Sequence, residues 1–159
     1  MVPSSVLPLW NDYCAAIGRD RSAEFHEAFH FHDHEQGARE LAALVLQGVK
    51  RASASLVWTW EHDLETPPWP GSVSVVTDWA GKPLCVIETR SIEVVPFEEV
   101  TAGFAATEGE GDRSLRHWRE GHWAYFTREC ARIGREPDLR MPVFCECFDV
   151  VFVGAHGAT

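Results

Sequence analysis

The sequence predicts an α+β fold in which a small β-barrel of mixed strands is flanked by α-helices. Three observations support this fold class. Apolar residues recur at helical spacing near the amino terminus, alternating strand-like segments dominate the middle of the chain, and a long helical segment precedes one closing strand. At 159 residues, of which 45% are hydrophobic, the chain can bury one substantial core, so we expect a single globular unit.

The amino-terminal part is predicted to form two helices separated by a polar loop. Residues 4–18 carry apolar side chains at helical spacing and end on a glycine, which suits a helix C-cap. Residues 19–36 are polar and rich in histidine, and we interpret them mainly as loop. Residues 34–50 have one apolar side, with Asp33 as the predicted N-cap and Gly48 at the predicted end.

The middle of the chain is predicted to form strands. Apolar and polar residues alternate in residues 53–60 (SASLVWTW), and residues 72–78 and 83–97 are rich in the β-branched side chains that strands favour. Residues 78–81 are the predicted turn between the last two segments. Residues 66–71 (TPPWPG) are a connector, because so many prolines cannot lie inside a sheet.

The carboxyl-terminal part is predicted to contain a short helix, a long helix and a last strand. Residues 97–108 are the short helix. Residues 112–134 carry apolar side chains near one face of the long helix, and Asp112 is its predicted N-cap. Residues 141–154 (MPVFCECFDVVFVG) supply the closing strand.

Composition excludes several classes of protein. A net charge of -10 argues against a surface that binds nucleic-acid phosphates indiscriminately, and we expect no binding to double-stranded DNA. No signal peptide and no apolar run of membrane-spanning length is visible, so we expect a cytoplasmic protein with no membrane partner. The odd number of scattered cysteines predicts reduced core thiols: Cys14, Cys85, Cys130, Cys145 and Cys147.

Lys50 and two serines are the first candidate for a catalytic group. Lys50 follows the predicted helix end, and Ser53 and Ser55 lie on one side of the following strand. A serine hydroxyl near a lysine base is a known nucleophile arrangement. The same spacing also suits a surface lysine beside two strand serines, so the pattern alone does not decide between the two interpretations.

The glycine-rich segment EGEGD, residues 108–112, offers carboxylates just before the long helix. Glu108 is the one that we expect to reach a site, whereas we interpret Glu110 as solvent-exposed. Three arginines recur every third residue in the helix, either as a solvated stripe or as a site for phosphate or carboxylate: Arg113, Arg116 and Arg119.

The histidine-rich segment HEAFHFHDHE raises the question of a metal site. His26 and His30 have helical spacing, whereas His30, His32 and His34 alternate as on a strand. One backbone cannot satisfy both geometries. We therefore expect no cofactor, with a divalent metal at His30, His32 and His34 as the alternative.

Four segments, in this order, carry a resemblance to one family. The first segment, residues 44–58 (LVLQGVKRASASLVW), follows the spacing of that family's motif G-x-K-x-x-T-x-S. The second segment, residues 72–101, resembles its hairpin region, and the third, residues 108–126, resembles its acidic loop and helix. The fourth, residues 142–152, resembles its last strand. Together they resemble the ASCH domain family, relatives of the PUA fold. The resemblance covers residues 29–153, so it implies an ASCH domain at residues 29–155 after a helical extension at residues 1–28.

The resemblance implies a PUA-like barrel with a cleft for RNA or a nucleotide, and it implies hydrolase activity whose catalytic residues correspond to three positions of this chain. One bacterial branch of the family removes acyl groups from N4-acylated cytidine with a lysine, a hydroxyl three positions later and a glutamate; these correspond to Lys50, Ser53 and Glu108. Another branch is reported as ribonuclease, in which Lys50 would stabilise the scissile phosphate and Glu108 would act on the 2′-hydroxyl. A non-catalytic module for single-stranded RNA or a nucleotide is the third alternative.

The expected partner is single-stranded RNA or a modified nucleoside. The resemblance and the arginine spacing suggest substrate-binding roles for a wider set of side chains: Phe31, Ser55, Arg113, Ser114 and Arg119. The chain departs from the family pattern in the F-G-D loop, where His32 replaces glycine, and in C-E-R-F, where Cys147 replaces arginine. Ser53 replaces the usual threonine and keeps the hydroxyl. These departures bear on which substrate the domain binds more than on which fold it adopts.

Overall fold

The computed structural model describes residues 1–155, which form five helices and five strands. The helices are α1 (Leu7–Ile17), α2 (Glu35–Leu46), α3 (Val57–Asp63), α4 (Ala102–Glu108) and α5 (Leu115–Ile133). The strands are β1 (Phe25–Phe29), β2 (Ala52–Leu56), β3 (Val73–Thr77), β4 (Pro83–Pro96) and β5 (Pro142–Val153). None of the helices within residues 1–155 combines the length and apolar character needed to cross a membrane.

The strands form one mixed sheet in the order β1-β3-β4-β5-β2. The β1–β3 pair is parallel, and the other pairs are antiparallel. The mixed sheet and the flanking helices confirm the predicted fold class. The sheet is open, however, and not a closed barrel, because the two edge strands, β1 and β2, are each only five residues long and do not pair with each other. Both edge strands instead contribute side chains to one cleft.

Two predicted elements are wrong. Residues 25–29, interpreted as loop, form β1, whose polar residues line the cleft and hide the usual apolar pattern of a strand. The predicted strand at residues 53–60 ends at Leu56, where α3 begins, because an apolar run this short fits either periodicity. The proposed boundary between residues 28 and 29 falls inside β1.

The predicted helix caps are also shifted. His34, and not Asp33, caps α2, because its ring accepts a hydrogen bond from the Gly37 N–H at 3.0 Å. Ser114, and not Asp112, caps α5, and its hydroxyl accepts from the His117 N–H at 3.1 Å. In both cases a residue one or two positions later along the chain provides the acceptor.

Helices cover the sheet through three apolar clusters. In the first, α1 packs on β3 and β4 through Leu9, Trp10, Tyr13, Val73, Val75 and Val86. In the second, α5 packs on β2 and β5 through Trp118, Phe126, Cys130, Leu56, Val143 and Cys145. In the third, α2 packs through Val45 against Val76, Ile87 and Phe148. All five cysteines are free, and Cys85, Cys130 and Cys145 are buried as the core-thiol interpretation predicts.

Candidate functional site

A cleft of about 510 Å³ lies between the edge strands, α2 and the start of α5. This volume falls within the range of small-molecule sites and suits a nucleoside-sized ligand. Its lining combines side chains from β1, β2 and β5 with the α4–α5 loop and the buried face of α5. The polar residues at its floor include Lys50, Ser53, Glu108, Glu110 and His122.

Lys50 is held at the floor of the cleft by the end of α2 and the start of β2. Its side chain is only 2% exposed. The ammonium donates to the Ala52 carbonyl at 2.7 Å and to Glu110 Oε2 at 3.1 Å, and lies 5.4 Å from the centre of the Phe31 ring. A buried lysine needs such partners, because an isolated ammonium is strongly disfavoured in a protein interior.

Glu108 is the buried counter-charge of Lys50. It is the last residue of α4, and its side chain is 1% exposed. Its Oε2 lies 3.5 Å from Lys50 Nζ and 3.3 Å from His122 Nε2. Burial alone would raise the pKa of Glu108, but Lys50 and His122 outweigh it and hold the pKa well below the usual range. The two neighbouring cations therefore favour the ionised form of Glu108.

His122 is a second cation beside Glu108. Its Nδ1 lies 2.9 Å from the Trp118 carbonyl oxygen and its Nε2 lies 3.3 Å from Glu108 Oε2, so both ring nitrogens lie near acceptor oxygens, an arrangement that favours the protonated ring. Burial opposes this charge, but Glu108 and then Glu110 raise the pKa of His122. The ring also stacks on Trp118 at 4.2 Å between centroids, which favours a cation.

Glu110 faces the same ammonium from the open side of the cleft. Its side chain is 22% exposed, so the interpretation of Glu110 as fully solvent-exposed is wrong. Burial and the neighbouring Glu108 raise the pKa of Glu110 to about 7, although Lys50 opposes this. The two neighbouring carboxyl groups thus have pKa values shifted in opposite directions, lowered for Glu108 and raised for Glu110.

Two glycines fix the loop that carries Glu110. Gly109 has φ +74° and Gly111 has φ +58°, in the left-handed region where glycine is favoured. A Cβ on Gly109 would lie 2.5 Å from the Val49 carbonyl oxygen, and one on Gly111 would lie 2.3 Å from the His117 ring. The loop is therefore packed closely against its neighbours and places Glu110 at a defined position.

We expect Gly109→Ala to destabilise the protein more than Gly134→Ala does. Both glycines have nearly the same φ, +74° and +75°, but a Cβ on Gly134 meets nothing within 4 Å. Gly134→Ala should therefore cost only the left-handed conformation, about 1–2 kcal/mol. Gly109→Ala adds a backbone clash, and urea unfolding should show about 1–3 kcal/mol more. Equal losses would show that the loop is not held against Val49.

The two candidate serines have different surroundings. Both line the cleft on β2. The Ser55 hydroxyl accepts a hydrogen bond from Trp60 Nε1 at 2.8 Å, which fixes the indole at the cleft wall. Within residues 1–155, no side-chain hydrogen bond engages the Ser53 hydroxyl, so it remains free to meet a ligand.

The predicted substrate-binding residues divide into two groups. Phe31 and Ser55 line the cleft together with Lys50. Arg113, Ser114 and Arg119 are not among its lining residues: Arg113 is exposed, Ser114 caps α5, and Arg119 donates to the Glu98 carbonyl at 3.4 Å. These three do not face the cleft, because the loop turns just before the helix begins.

The structure does not bring His30, His32 and His34, the alternative metal site, together as one set of ligands. His30 packs against Trp79 with ring centroids 4.6 Å apart and stays outside the cluster formed by His32, Asp33 and His34. In that cluster Asp33 accepts from Arg128 at 2.8 Å, and His34 Nδ1 is used to cap α2. These donors already have protein partners, and we assign no metal to them.

Glu108, Glu110 and His122 also bring three potential metal ligands within 4.8 Å of one another. Lys50 lies 3.1 and 3.5 Å from the two carboxylates, and both nitrogens of His122 face acceptors. The ammonium therefore supplies the positive charge that a metal would bring, and these residues do not fit a metal ion.

Sequence reasoning missed His122 and misplaced Glu110. His122 lies one turn after Trp118 on α5 and points into the site. Helical spacing alone, however, does not distinguish a site residue from a core residue. Glu146 was also missed; it lies opposite Ser53 in the β2–β5 register and accepts from the Thr89 hydroxyl. Burial raises the pKa of Glu146. Strand register could have placed Glu146 beside Ser53.

Comparisons with known proteins give one consistent result. A family model described as the ASCH domain matches residues 27–152. The fold is similar to the crystal structure of an ASCH domain from Lactobacillus crispatus JV V101, with 36% identity, a TM-score of 0.86 and coverage of 95% of this chain and 96% of that one. It is also similar to a protein from Enterococcus faecalis V583, with 25% identity, a TM-score of 0.87 and coverage of 96% and 91%. No curated protein matches.

Proposed function

The chain belongs to the ASCH domain family, and from its cleft we propose that it is a hydrolase that cleaves the amide bond of a modified nucleoside, such as an N4-acylated cytidine. The observation that supports this is the meeting of Lys50, Ser53 and Glu108 in one cleft of nucleoside size. A buried ammonium, a free hydroxyl and a fixed carboxylate are the groups that a lysine-assisted serine hydrolase needs.

The charge of the cleft favours a nucleoside over RNA. Lys50 is the only lysine or arginine among the lining residues within the described part of the chain. Five carboxyl groups share the lining: Glu27, Glu40, Glu108, Glu110 and Glu146. A phosphodiester would find a single lysine and no arginine to bind among these lining residues, whereas amides, amines and hydroxyl groups would find several carboxyl acceptors. This supports amide hydrolysis more than ribonuclease activity.

The proposed reaction forms and then hydrolyses an acyl-serine. Lys50 first gives one ammonium proton to a neighbouring carboxylate; as the neutral amine it takes the hydroxyl proton while the Ser53 oxygen bonds to the acyl carbon, and that carboxyl group protonates the leaving amine as the carbon–nitrogen bond breaks. Water then attacks the acyl-serine ester. Its attack releases the carboxylic acid and restores the Ser53 hydroxyl. Glu108 keeps Lys50 in place throughout.

A substrate panel tests this proposal. N4-acylated cytidines and short single-stranded RNAs are incubated with the wild type, and products are separated by chromatography. We expect free cytidine and acid from the nucleosides and no cleavage of RNA. RNA cleavage would instead establish a ribonuclease. Salt-sensitive RNA binding without any product would establish a non-catalytic module.

A further inference from the structure

We propose that Glu110, and not Glu108, is the proton-transfer residue of this site: it exchanges a proton with Lys50 and delivers it to the departing amine nitrogen. Glu108 is then a positioning residue that holds Lys50 and His122 as cations. This inference rests on the proposed amide hydrolysis and assigns a role in it to a carboxylate that neither the spacing nor the resemblance selects.

Both carboxylates line the cleft, but they differ in side-chain exposure. The Glu108 side chain is 1% exposed and lies between two cations, at 3.5 Å from Lys50 and 3.3 Å from His122. The Glu110 side chain is 22% exposed and lines the cleft, where a ligand can reach it. A group that gives a proton to a substrate must be within reach of that substrate.

Hydrogen-bond geometry supports the same assignment. The Lys50 ammonium donates to Glu110 at 3.1 Å in a normal hydrogen bond. The Glu108 oxygens, by contrast, accept no hydrogen bond of normal geometry from residues 1–155 despite their two cationic neighbours. A proton can therefore move directly between Lys50 and Glu110, whereas Glu108 acts through its charge alone.

The loop is built to hold Glu110 in this position. Gly109 and Gly111 flank it in left-handed conformations, and Gly109 has no room for a Cβ against the Val49 backbone. A fixed position of the Glu110 carboxyl group matters because proton transfer requires a donor within hydrogen-bond reach of the reacting atom. A solvated glutamate on a glycine-rich loop would not need such close packing.

Protons balance through the cycle. Lys50 passes a proton to Glu110 and, as the neutral amine, takes the Ser53 proton when the Ser53 oxygen bonds to the acyl carbon. Glu110 then gives its proton to the leaving nitrogen as the carbon–nitrogen bond breaks. In the second half, Glu110 takes a proton from the attacking water, the Ser53 oxygen leaves with a proton from Lys50, and Glu110 returns its own proton to Lys50.

The charged groups around Glu110 predict a pH dependence. Glu108 from α4, Lys50 before β2 and His122 from α5 face it. Burial and Glu108 raise the pKa of Glu110 to about 7. Below that pH the free enzyme holds Glu110 protonated beside a charged Lys50, so neither group can accept a proton. We therefore expect kcat/KM to rise with pH through about 7.

Three variants test the role through activity. Glu110→Gln should lower kcat by about 100-fold or more and abolish the rise near pH 7, whereas the exposed Glu120→Gln should change neither. Glu110→Ala should recover about tenfold in added formate, which can enter the open side of the cleft, and the enclosed Glu108→Ala should not. A rise near pH 7 that persists in Glu110→Gln, or formate rescue of Glu108→Ala alone, would overturn the assignment.

Carboxyl titration tests the same inference without any substrate. In protein labelled with 13C at glutamate, we expect the Glu110 carboxyl to titrate near pH 7 and its signal to be lost in Glu110→Gln. Glu27, whose pKa burial and Glu65 also raise to about 7, is identified by Glu27→Gln. If no signal near pH 7 disappears in Glu110→Gln, the proton-transfer role fails even if hydrolysis is found. If the signal is found but no acylated nucleoside is cleaved, the proposed function is the part that fails.

Discussion

Replacing Lys50 by methionine is expected to remove the proposed hydrolysis and to lower the free energy of unfolding by about 3–5 kcal/mol. The substitution keeps most of the side-chain volume but leaves the fully buried carboxylate of Glu108 without its nearest lysine. It also removes the group that accepts the Ser53 proton. Urea unfolding and a kcat measurement on an acylated cytidine check the two effects separately.

Lys82→Met is the matched control, because Lys82 is the other lysine of the chain and is exposed. It should change the unfolding free energy by less than about 0.5 kcal/mol. The double variant Lys50→Met/Glu108→Gln should be less destabilised than the sum of the single variants, since it removes both members of the Lys50–Glu108 pair instead of leaving one of them without the other. Strict additivity would show that Lys50 and Glu108 do not form a pair in solution.

Ser53→Ala is expected to reduce kcat by about 10⁴-fold or more while leaving stability and substrate binding nearly unchanged. The change removes one hydroxyl at the cleft surface, and within residues 1–155 that hydroxyl holds no side-chain hydrogen bond. Ser53→Thr restores the residue usual in the family pattern and should retain activity. Kinetics and calorimetric binding of an acylated cytidine check both variants, and full activity in Ser53→Ala would show that another group attacks the acyl carbon.

The fold could be predicted well from the sequence because its strongest signals are long and periodic. The fold class and family are confirmed, and α5 lies within two or three residues of its predicted limits. The failures are short segments. Residues 57–60 fit a strand as well as the helix they form, and the polar residues of β1 face a cleft that no local pattern reveals.

The candidate site was predicted in part for a similar reason. Lys50, Ser53 and Glu108 lie in one cleft, and their spacing and order along the chain were visible in advance. Whether Glu110 is solvated or paired depends on the path of its loop. The close approach of Gly109 to Val49 sets that path. Contacts between distant segments of this kind cannot be read from local sequence.

The placement of charge was the least predictable feature. The arginines spaced by three were interpreted either as a solvated stripe or as a site for phosphate or carboxylate, and Arg113 and Arg119 are exposed, as a solvated stripe requires. The cleft is lined by glutamates instead. Helical periodicity identifies residues that share a face and leaves open which way that face is turned.

Acylation of Ser53 tests the central claim most directly. Wild-type protein is mixed with an N4-acylated cytidine, quenched in acid within the first turnover, digested and analysed by mass spectrometry. We predict that the peptide containing Ser53 gains the mass of the acyl group. This acyl adduct should be absent from Ser53→Ala. Release of cytidine by the wild type with no adduct on that peptide, or with the same adduct in Ser53→Ala, would contradict it.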